Sequence, residues 1–243
     1  MSAANWIALN ASQYLHRYGA TREVFGHIAV NDRANAGRNP AAIYRDPMTM
    51  DDYLSARMIT TPFGLYDCDV PCDASIALVV SAAETAGDLA RPAVRIEAAG
   101  TQILERISWD QDTVTHEPQV LGQSAHLWTR TSLTPADVDV AQLYDGFSIE
   151  VVWWLEAMGF CGPGEAGAFV EGGRRIALDG ELPLNTWGGQ LSGGRLHAAF
   201  GHTAEAVRQL RGEAGDRQVA FPEVAAVTNV GGIEAGAALL TRW

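Results

Sequence analysis

The chain has 243 residues, of which 47% are hydrophobic and 19% are charged, and its formal net charge is −12 at pH 7. This composition is typical of a compact soluble protein with a sizeable core, and it excludes an intrinsically disordered one. The acidic balance excludes nucleic acid as a partner and argues against anionic membranes.

Targeting signals and cysteine usage predict a cytoplasmic protein. No apolar stretch approaches the ~20 residues of a membrane span, and the start, MSAANWIALNASQYLHRYG, lacks the basic-then-apolar pattern of a secretory signal. Cys68, Cys72 and Cys161 do not make a disulfide framework, and their odd number favours a reducing compartment. No second Cys or His pair has zinc-ligand spacing, so we expect no metal site.

The first third of the chain is predicted to be mostly helical. Two helices are expected within residues 5–36, the first ending at Gly19 and the second capped by Thr21. MTMDDYLSARMI predicts a short third helix capped by Thr49. SIALVVSA, residues 75–82, is a continuous apolar run that is typical of a strand buried on both faces.

Strands and helices then alternate along the chain. AVRIEAAGTQI and EVAAVTNVGG predict strands, and VDVAQLY predicts another that ends at Tyr144. FSIEVVWWLEAMG predicts an amphipathic helix ended by Gly159, and TAEAVRQLRGEAG predicts a helix with Thr203 as its cap. Residues 105–126 are polar and weakly periodic, which indicates an exposed excursion. This alternation predicts an α/β fold.

Three strand-end or loop segments carry more functional side chains than structure alone requires. In the first, Tyr144 and Asp145 stand where a strand is predicted to become a helix. Side chains and helix N–H groups converge on ligands at such junctions. A phenol can donate to a carbonyl oxygen or, near its pKa, accept a proton. Asp145 either orients a partner or caps the helix.

The second and third segments are rich in glycine, which permits a positive φ and a close backbone approach. LNTWGGQLSGGRLHAAFG holds four glycines within seven residues: Gly188, Gly189, Gly193 and Gly194. Arg195 then supplies a fixed cation and His197 a titratable imidazole. The third segment, TNVGGIEAG, follows Asn229 with Gly231 and Gly232. Taken alone, a glycine-rich loop with one histidine is also typical of a connector.

Together the three segments resemble the C-terminal blocks of the thiolase superfamily, in particular its lipid-transfer-protein or sterol-carrier-protein-x-like branch. YDGFSIE stands where thiolases carry Asn-Glu-Ala-Phe, and TNVGGIEAG where they carry Cys-x-Gly-Gly-Gly. LNTWGGQLSGGRLHAAFG stands where they carry Asn-x-x-Gly-Gly and then Gly-His-Pro-x-Gly. The resemblance implies a thiolase-like α/β fold with a helical loop-domain remnant (1–66), the last strand and helix of the N-terminal half (67–90) and a βαβαβαββ-type C-terminal domain (91–243).

The departures from thiolases imply different chemistry. Arg195 stands at the thiolase histidine position, Asn229 at the second catalytic cysteine and Tyr144 at the asparagine. None of the chain's cysteines matches the nucleophile motif. The chain is similar to a branch without these cysteines, the aldol lyases of steroid side-chain degradation, which cleave a β-hydroxyacyl-CoA by a retro-aldol step. That step requires no acyl-enzyme.

The resemblance also implies the site residues and partners. Tyr144 is expected as acid or base, Asp145 as its orienting residue, and three residues as the lining of the enolate site: Arg195, His197 and Asn229. The thioester is expected to lie against glycine backbone: Gly188, Gly189, Gly194, Gly231 and Gly232. The CoA thioester is the substrate, no further cofactor is implied, and the partners are a second copy and a small protein with an OB-fold and a zinc ribbon.

Two alternative functions remain open at this level. One is an acyltransferase of the acetyl-CoA acetyltransferase type, which a trapped acyl-enzyme would reveal. The other is a non-catalytic lipid or acyl-CoA-binding subunit, or a truncated inactive fragment. The superfamily builds its site between two similar halves, and only the second is recognisable in full here, so exposed apolar surface and oligomerisation are expected.

Overall fold

The computed structural model describes residues 2–103, 123–196, 200–230 and 234–243. Within these ranges the helices are α1 (Ala3–Tyr18), α2 (Glu23–Ala36), α3 (Met50–Ser55), α4 (Ser148–Ala157), α5 (Ala166–Val170) and α6 (Phe200–Arg211). The strands are β1 (Met58–Thr60), β2 (Phe63–Gly64), β3 (Val94–Ile103), β4 (Val140–Gln142), β5 (Val224–Asn229) and β6 (Glu234–Arg242). Helices and strands together give the predicted α/β fold.

A four-stranded sheet in the order β3-β6-β5-β4 organises the C-terminal part. β4 runs parallel to β5, with Gln142 opposite Val227, whereas β6 is antiparallel to both β5 and β3. The carboxyl ends of parallel neighbours meet at one edge of a sheet, where α/β proteins bind ligands. The carboxyl ends of β4 and β5 therefore lie side by side, with Tyr144 in the turn after β4 and Asn229 as the last residue of β5.

Helices cover both faces of the sheet. On one face, α6 packs Ala206 and Leu210 against Val140 and Ala225. The other face joins a larger core built around α2 and α4. Contact with α2 and α5 leaves α4 buried on all sides, from Ser148 to Glu156. The prediction that this helix is amphipathic is therefore wrong, because the positions expected to face solvent also lie inside the protein.

Helix α2 fixes the position of the glycine-rich segment through side chains rather than through apolar packing alone. The amides of Asn31 and Asn35 both donate to the Leu184 carbonyl, at 3.1 and 2.9 Å. Arg33 Nε donates to Ser192 Oγ at 3.0 Å. These hydrogen bonds are buried, so breaking one would leave an unsatisfied polar group. They hold the glycine-rich segment against the rest of the fold.

Two of the predicted helix ends in the first third of the chain are confirmed. Gly19 ends α1 with φ at +62°, and the Thr49 hydroxyl caps α3. The prediction for Thr21 is wrong, since the cap position falls one residue later, at Arg22. The Thr21 side chain instead hydrogen-bonds the Glu23 carboxyl, whose pKa it lowers.

Helix α6 begins earlier than predicted. It starts at Phe200, so Thr203 lies inside the first turn rather than at the cap. Gly201 allows this start, because a Cβ there would lie 2.7 Å from the Trp187 ring.

Residues 75–82 do not form the predicted strand. Val79 and Val80 are 94% and 77% exposed in an extended segment. A strand needs a neighbour to satisfy its backbone groups, and the described ranges supply none for this run. A 3-10 helix, Ala83–Asp88, follows it.

The predicted polar excursion at 105–126 lies mostly outside the described residues. Its last part begins a 3-10 helix, Gln123–Arg130, that buries Leu127 completely. Of the helices in the described ranges, none combines the length and apolar character needed to cross a bilayer.

Candidate functional site

Tyr144 lies in the turn after β4, at the edge where β4 and β5 end. Its backbone N–H donates to Thr228 Oγ1 at 2.8 Å, which ties the turn to β5. Gly146 makes room for the phenol, because a Cβ there would lie 2.8 Å from the Tyr144 hydroxyl. Burial, and then the charge of Glu150, raises the pKa of Tyr144 above its ordinary value. The phenol therefore stays protonated at neutral pH and is suited to donate a proton.

Asp145 is completely buried and caps a different element from the one expected. It accepts hydrogen bonds from the backbone N–H groups of Gln190 and Leu191, at 2.9 and 3.0 Å, and lies 2.9 Å from His202 Nε2. Helix α4, in contrast, begins at a cap position occupied by Phe147. The Asp145 carboxylate thus closes the turn of the glycine-rich segment, and the capping of α4 is not its role.

The glycines of this segment are required by contacts with protein atoms. Gly188 and Gly189 have φ at +104° and +57°, and a Cβ on Gly189 would collide with the Asp145 carboxylate. Gly194 has φ at +132°, and a Cβ there would lie 2.8 Å from Cys72 Sγ. All three are buried, and they bring the segment into close contact with its neighbours.

Two further groups, Asp32 and His202, belong to this buried cluster, and their sequence context gave neither of them a role in the site. Asp32 on α2 is completely buried, and its carboxyl lies beside that of Asp145 around Gly189. Burial, and then the Asp145 charge, raises the pKa of Asp32 well above its ordinary value. His202, in the first turn of α6, lies edge-on to Trp187 with ring centroids 5.4 Å apart. Because Asp145 accepts from Nε2, the His202 Nδ1 atom is the one left without a partner.

Asp69 enters the site from a segment that runs between the Tyr144 turn and the glycines. Its N–H donates to the Gly146 carbonyl at 3.1 Å, and Val70 N donates to the Gln190 carbonyl at 3.0 Å. On the other side, Arg195 N donates to the Val70 carbonyl at 2.7 Å. The Arg195 side chain is 60% exposed, and its Nε lies 3.3 Å from Asp69 Oδ2. No motif in the sequence marks Asp69, because its partners come from distant parts of the chain.

Asn229 ends β5 opposite Gly236, one residue after the threonine that anchors the Tyr144 turn. Its Oδ1 is buried without a hydrogen bond. Tyr144 and Asn229 thus lie at one sheet edge, and Arg195 is linked to the Tyr144 turn through Asp69, whose N–H bonds the Gly146 carbonyl. Three other predicted site residues lie outside the described residues: His197, Gly231 and Gly232.

The three cysteines are unpaired thiols. Burial raises the pKa of Cys68 and of Cys161 to about 12 and also raises that of Cys72. Within the described ranges, no three His, Cys, Asp or Glu side chains are grouped so that they could hold a metal ion. The site therefore contains the protonated phenol of Tyr144 and the ion pair of Asp69 with Arg195. The buried carboxyls of Asp32 and Asp145 lie next to them.

Known proteins are similar to this chain in sequence and in fold. A family model described as thiolase C-terminal domain-like matches residues 100–241. The chain is 41% identical over 215 residues to 17-hydroxy-3-oxo-4-pregnene-20-carboxyl-CoA lyase of Mycobacterium tuberculosis, covering 85% of this chain and 54% of the relative. It is 39% identical over 214 residues to the steroid side-chain-cleaving aldolase of Thermomonospora curvata, covering 86% and 54%.

The fold is similar to a solved structure of the Ltp2-ChsH2(DUF35) aldolase, with a TM-score of 0.87 and 34% identity over 99% of this chain and 64% of that one. The chain spans about half the length of the curated relatives it matches. The predicted thiolase-like fold is confirmed by this likeness and by a family match that covers more than half of the chain. The chain belongs to the thiolase C-terminal domain-like family.

Proposed function

We propose that the chain takes part in retro-aldol cleavage of a β-hydroxyacyl-CoA in lipid or steroid side-chain degradation. The observation that carries this proposal is a protonated phenol, Tyr144, at a sheet edge whose described surroundings offer a carboxyl–guanidinium pair and no activated thiol. The relatives named as a lyase and an aldolase support the reaction class.

The retro-aldol reaction requires the site to perform three functions. The β-hydroxyl must lose its proton, the thioester oxygen must be stabilised as the Cα–Cβ electron pair moves onto it, and the α-carbon must regain a proton. Tyr144 supplies the last proton from its phenol. Arg195 stabilises the enolate oxygen, and its permanent charge prevents it from acting as the base. Asn229 and His197 complete the lining, and Asp145 holds the turn behind them.

Acyl transfer is less well supported by the described residues. A thiolase-type reaction needs a cysteine thiolate, and a thiol with a pKa of about 12, such as Cys68, is ionised to only about one part in 10⁵ at neutral pH. The same value applies to Cys161. Retro-aldol cleavage forms no acyl-enzyme, so it does not depend on these thiols.

Substrate binding and assembly belong to the same proposal. The thioester would lie along the backbone of Gly231 and Gly232. The same expectation for Gly188, Gly189 and Gly194 is not kept, because these three glycines are buried against protein atoms. The CoA thioester is the substrate and no other cofactor is proposed. A second copy of the chain and a protein with an OB-fold and a zinc ribbon are the proposed partners. The two-component name of the solved aldolase supports the second of these.

The test uses the purified full chain and 17-hydroxy-3-oxo-4-pregnene-20-carboxyl-CoA, the thioester in the name of the mycobacterial relative. Cleavage between the hydroxyl-bearing carbon and the α-carbon gives a ketone and a shorter acyl-CoA, which chromatography separates. We expect Tyr144→Phe to lower turnover by about 10²- to 10⁴-fold. Tyr18→Phe, on helix α1, is the matched control. Unchanged turnover in Tyr144→Phe, or an acyl-enzyme trapped with acetyl-CoA and seen by mass spectrometry, would contradict the proposal.

A further inference from the structure

The retro-aldol step needs a group that accepts the β-hydroxyl proton, and the buried acids of the site are poorly placed for it. Asp32 and Asp145 are completely buried and Glu150 is 1% exposed. Glu150 Oε2 accepts the Phe147 N–H at 2.8 Å, and Asp145 is occupied by the glycine-rich segment. Of these four neighbouring carboxyls, Asp69 is the one with an exposed side-chain surface, at 17%.

The backbone holds Asp69 rigidly at this position. Its own N–H is bound to the Gly146 carbonyl, and the next residue, Val70, bonds on both sides to the glycine-rich segment. Cys68 forms an isolated antiparallel bridge with Phe147 just before it. A side chain supported by backbone hydrogen bonds on both flanks keeps its distance from a bound substrate constant.

The electrostatic surroundings suit Asp69 to accept and release a proton near neutral pH. Burial raises the pKa of Asp69 to about 6, the Arg195 guanidinium acts against this rise, and the Asp145 charge adds to it. A base with a pKa near the working pH combines a useful ionised fraction with a useful driving force. The titratable or charged groups that face it come from three segments: Arg195, Tyr144, Asp145, Cys68 and Cys72.

We propose that Asp69 accepts the β-hydroxyl proton in the retro-aldol step and that Arg195 positions its carboxylate, an inference that rests on the proposed function. The O–H proton passes to Asp69 as the C–O bond becomes a carbonyl. The Cα–Cβ bond breaks, and its electron pair forms the thioester enolate. Tyr144 then protonates the α-carbon. Transfer of a proton from Asp69 to the Tyr144 phenolate, through solvent, restores both groups.

The experiment compares Asp69→Asn with Asp73→Asn, an exposed aspartate on the same loop, in the assay with 17-hydroxy-3-oxo-4-pregnene-20-carboxyl-CoA. Rates are measured between about pH 5 and pH 9. We expect Asp69→Asn to lower kcat by about 10²- to 10⁴-fold with KM nearly unchanged, because proton transfer and not binding is lost. Asp73→Asn should keep the wild-type rate.

The pH profile provides a readout that a purely structural role would not change. Arg195→Met should move the fall of kcat/KM at acidic pH to a higher pH than in the wild type, because the guanidinium no longer favours the carboxylate. Asp69→Glu, which keeps the carboxyl but displaces it by one methylene, should retain this fall at a reduced rate. It also serves as the second variant if Asp69→Asn does not fold.

The outcomes separate the two proposals. If Asp69→Asn keeps the wild-type turnover and the same fall of kcat/KM at acidic pH, the role of Asp69 is refuted. The retro-aldol function would then still stand. An equal loss in Asp73→Asn also refutes it, since the loop as a whole would then be responsible. A folded wild type that does not cleave the thioester refutes the proposed function, and the assignment of Asp69 with it.

Discussion

Replacing Asp145 with asparagine should destabilise the fold strongly, although the two side chains have the same shape. Asp145 Oδ1 accepts from Gln190 N and lies against His202 Nε2, while Oδ2 accepts from Leu191 N. Asparagine has a single oxygen, so it can serve only one of these two positions. Its NH₂ group must then face a backbone or ring N–H in a fully buried site.

The size of the effect follows from counting groups left unsatisfied. With the asparagine oxygen at the Oδ1 position, the Leu191 N–H loses its acceptor and one N–H of the new NH₂ group points at it, so two buried donors oppose each other. Each unsatisfied buried donor costs about 1–3 kcal/mol, so we expect a loss of about 2–6 kcal/mol in the free energy of unfolding. Such a loss is a large share of the stability of a typical domain.

Asp139 provides a matched control on the surface of the same domain. Its Oδ2 alone accepts both the Glu223 and the Val224 N–H, at 2.8 and 2.9 Å. Asp139→Asn can therefore keep both bonds with its one oxygen and should change stability by no more than about 0.5 kcal/mol. Urea unfolding followed by circular dichroism measures both variants. A difference between them below about 1 kcal/mol would refute the reasoning.

Three further predictions concern the same fold. Gly189→Ala should cost about 2–5 kcal/mol, because its φ of +57° is strained for alanine and the Cβ collides with Asp145, whereas Gly212→Ala, with φ at +73° and open space, should cost about 1–2 kcal/mol in urea unfolding. Asp69→Asn should gain stability relative to the wild type as the pH rises from about 4 to about 6, because in that window the Asp69 carboxyl ionises only in the unfolded wild type. A stability difference that stays constant over this range would contradict the prediction. Val79→Ser should change stability by less than about 0.5 kcal/mol, since the side chain is 94% exposed, and a larger loss would place Val79 in a packed strand.

Local patterns predicted the elements whose causes are local. A glycine at φ +62° ends α1, and a threonine hydroxyl caps α3, because both effects act within one turn. The strands around AVRIEAAGTQI and EVAAVTNV appear as β3 and β5 with nearly the predicted bounds. The apolar run at 75–82 has the same local preference, yet it has no strand beside it in the described ranges, and preference without a partner does not make a sheet.

The site was predictable only where the chain itself brings residues together. Tyr144 and Asp145 follow a recognisable strand and lie where the junction placed them. Asp32 reaches the same cluster from α2, and Asp69 reaches it from the loop that follows β2. Nothing in the spacing of the sequence connects these acids with the glycine-rich segment. Their role depends on the packing of α2 and on two backbone hydrogen bonds of the loop, which only the folded chain reveals.

The adjacent residues Tyr144 and Asp145 divide the site into two layers. Tyr144 remains partly exposed at the sheet edge, while Asp145 turns inward and binds the glycine turn. A buried carboxylate whose two oxygens both accept hydrogen bonds contributes to stability and to position. The Asp69 side chain is 17% exposed and burial raises its pKa to about 6, so this carboxyl can exchange a proton near neutral pH. Asparagine at Asp145 should accordingly destabilise the fold. Asparagine at Asp69 should abolish proton transfer and become relatively more stable as the pH rises. Opposite responses to the same chemical change would show that the inner carboxylate holds the site while the outer one takes part in its chemistry.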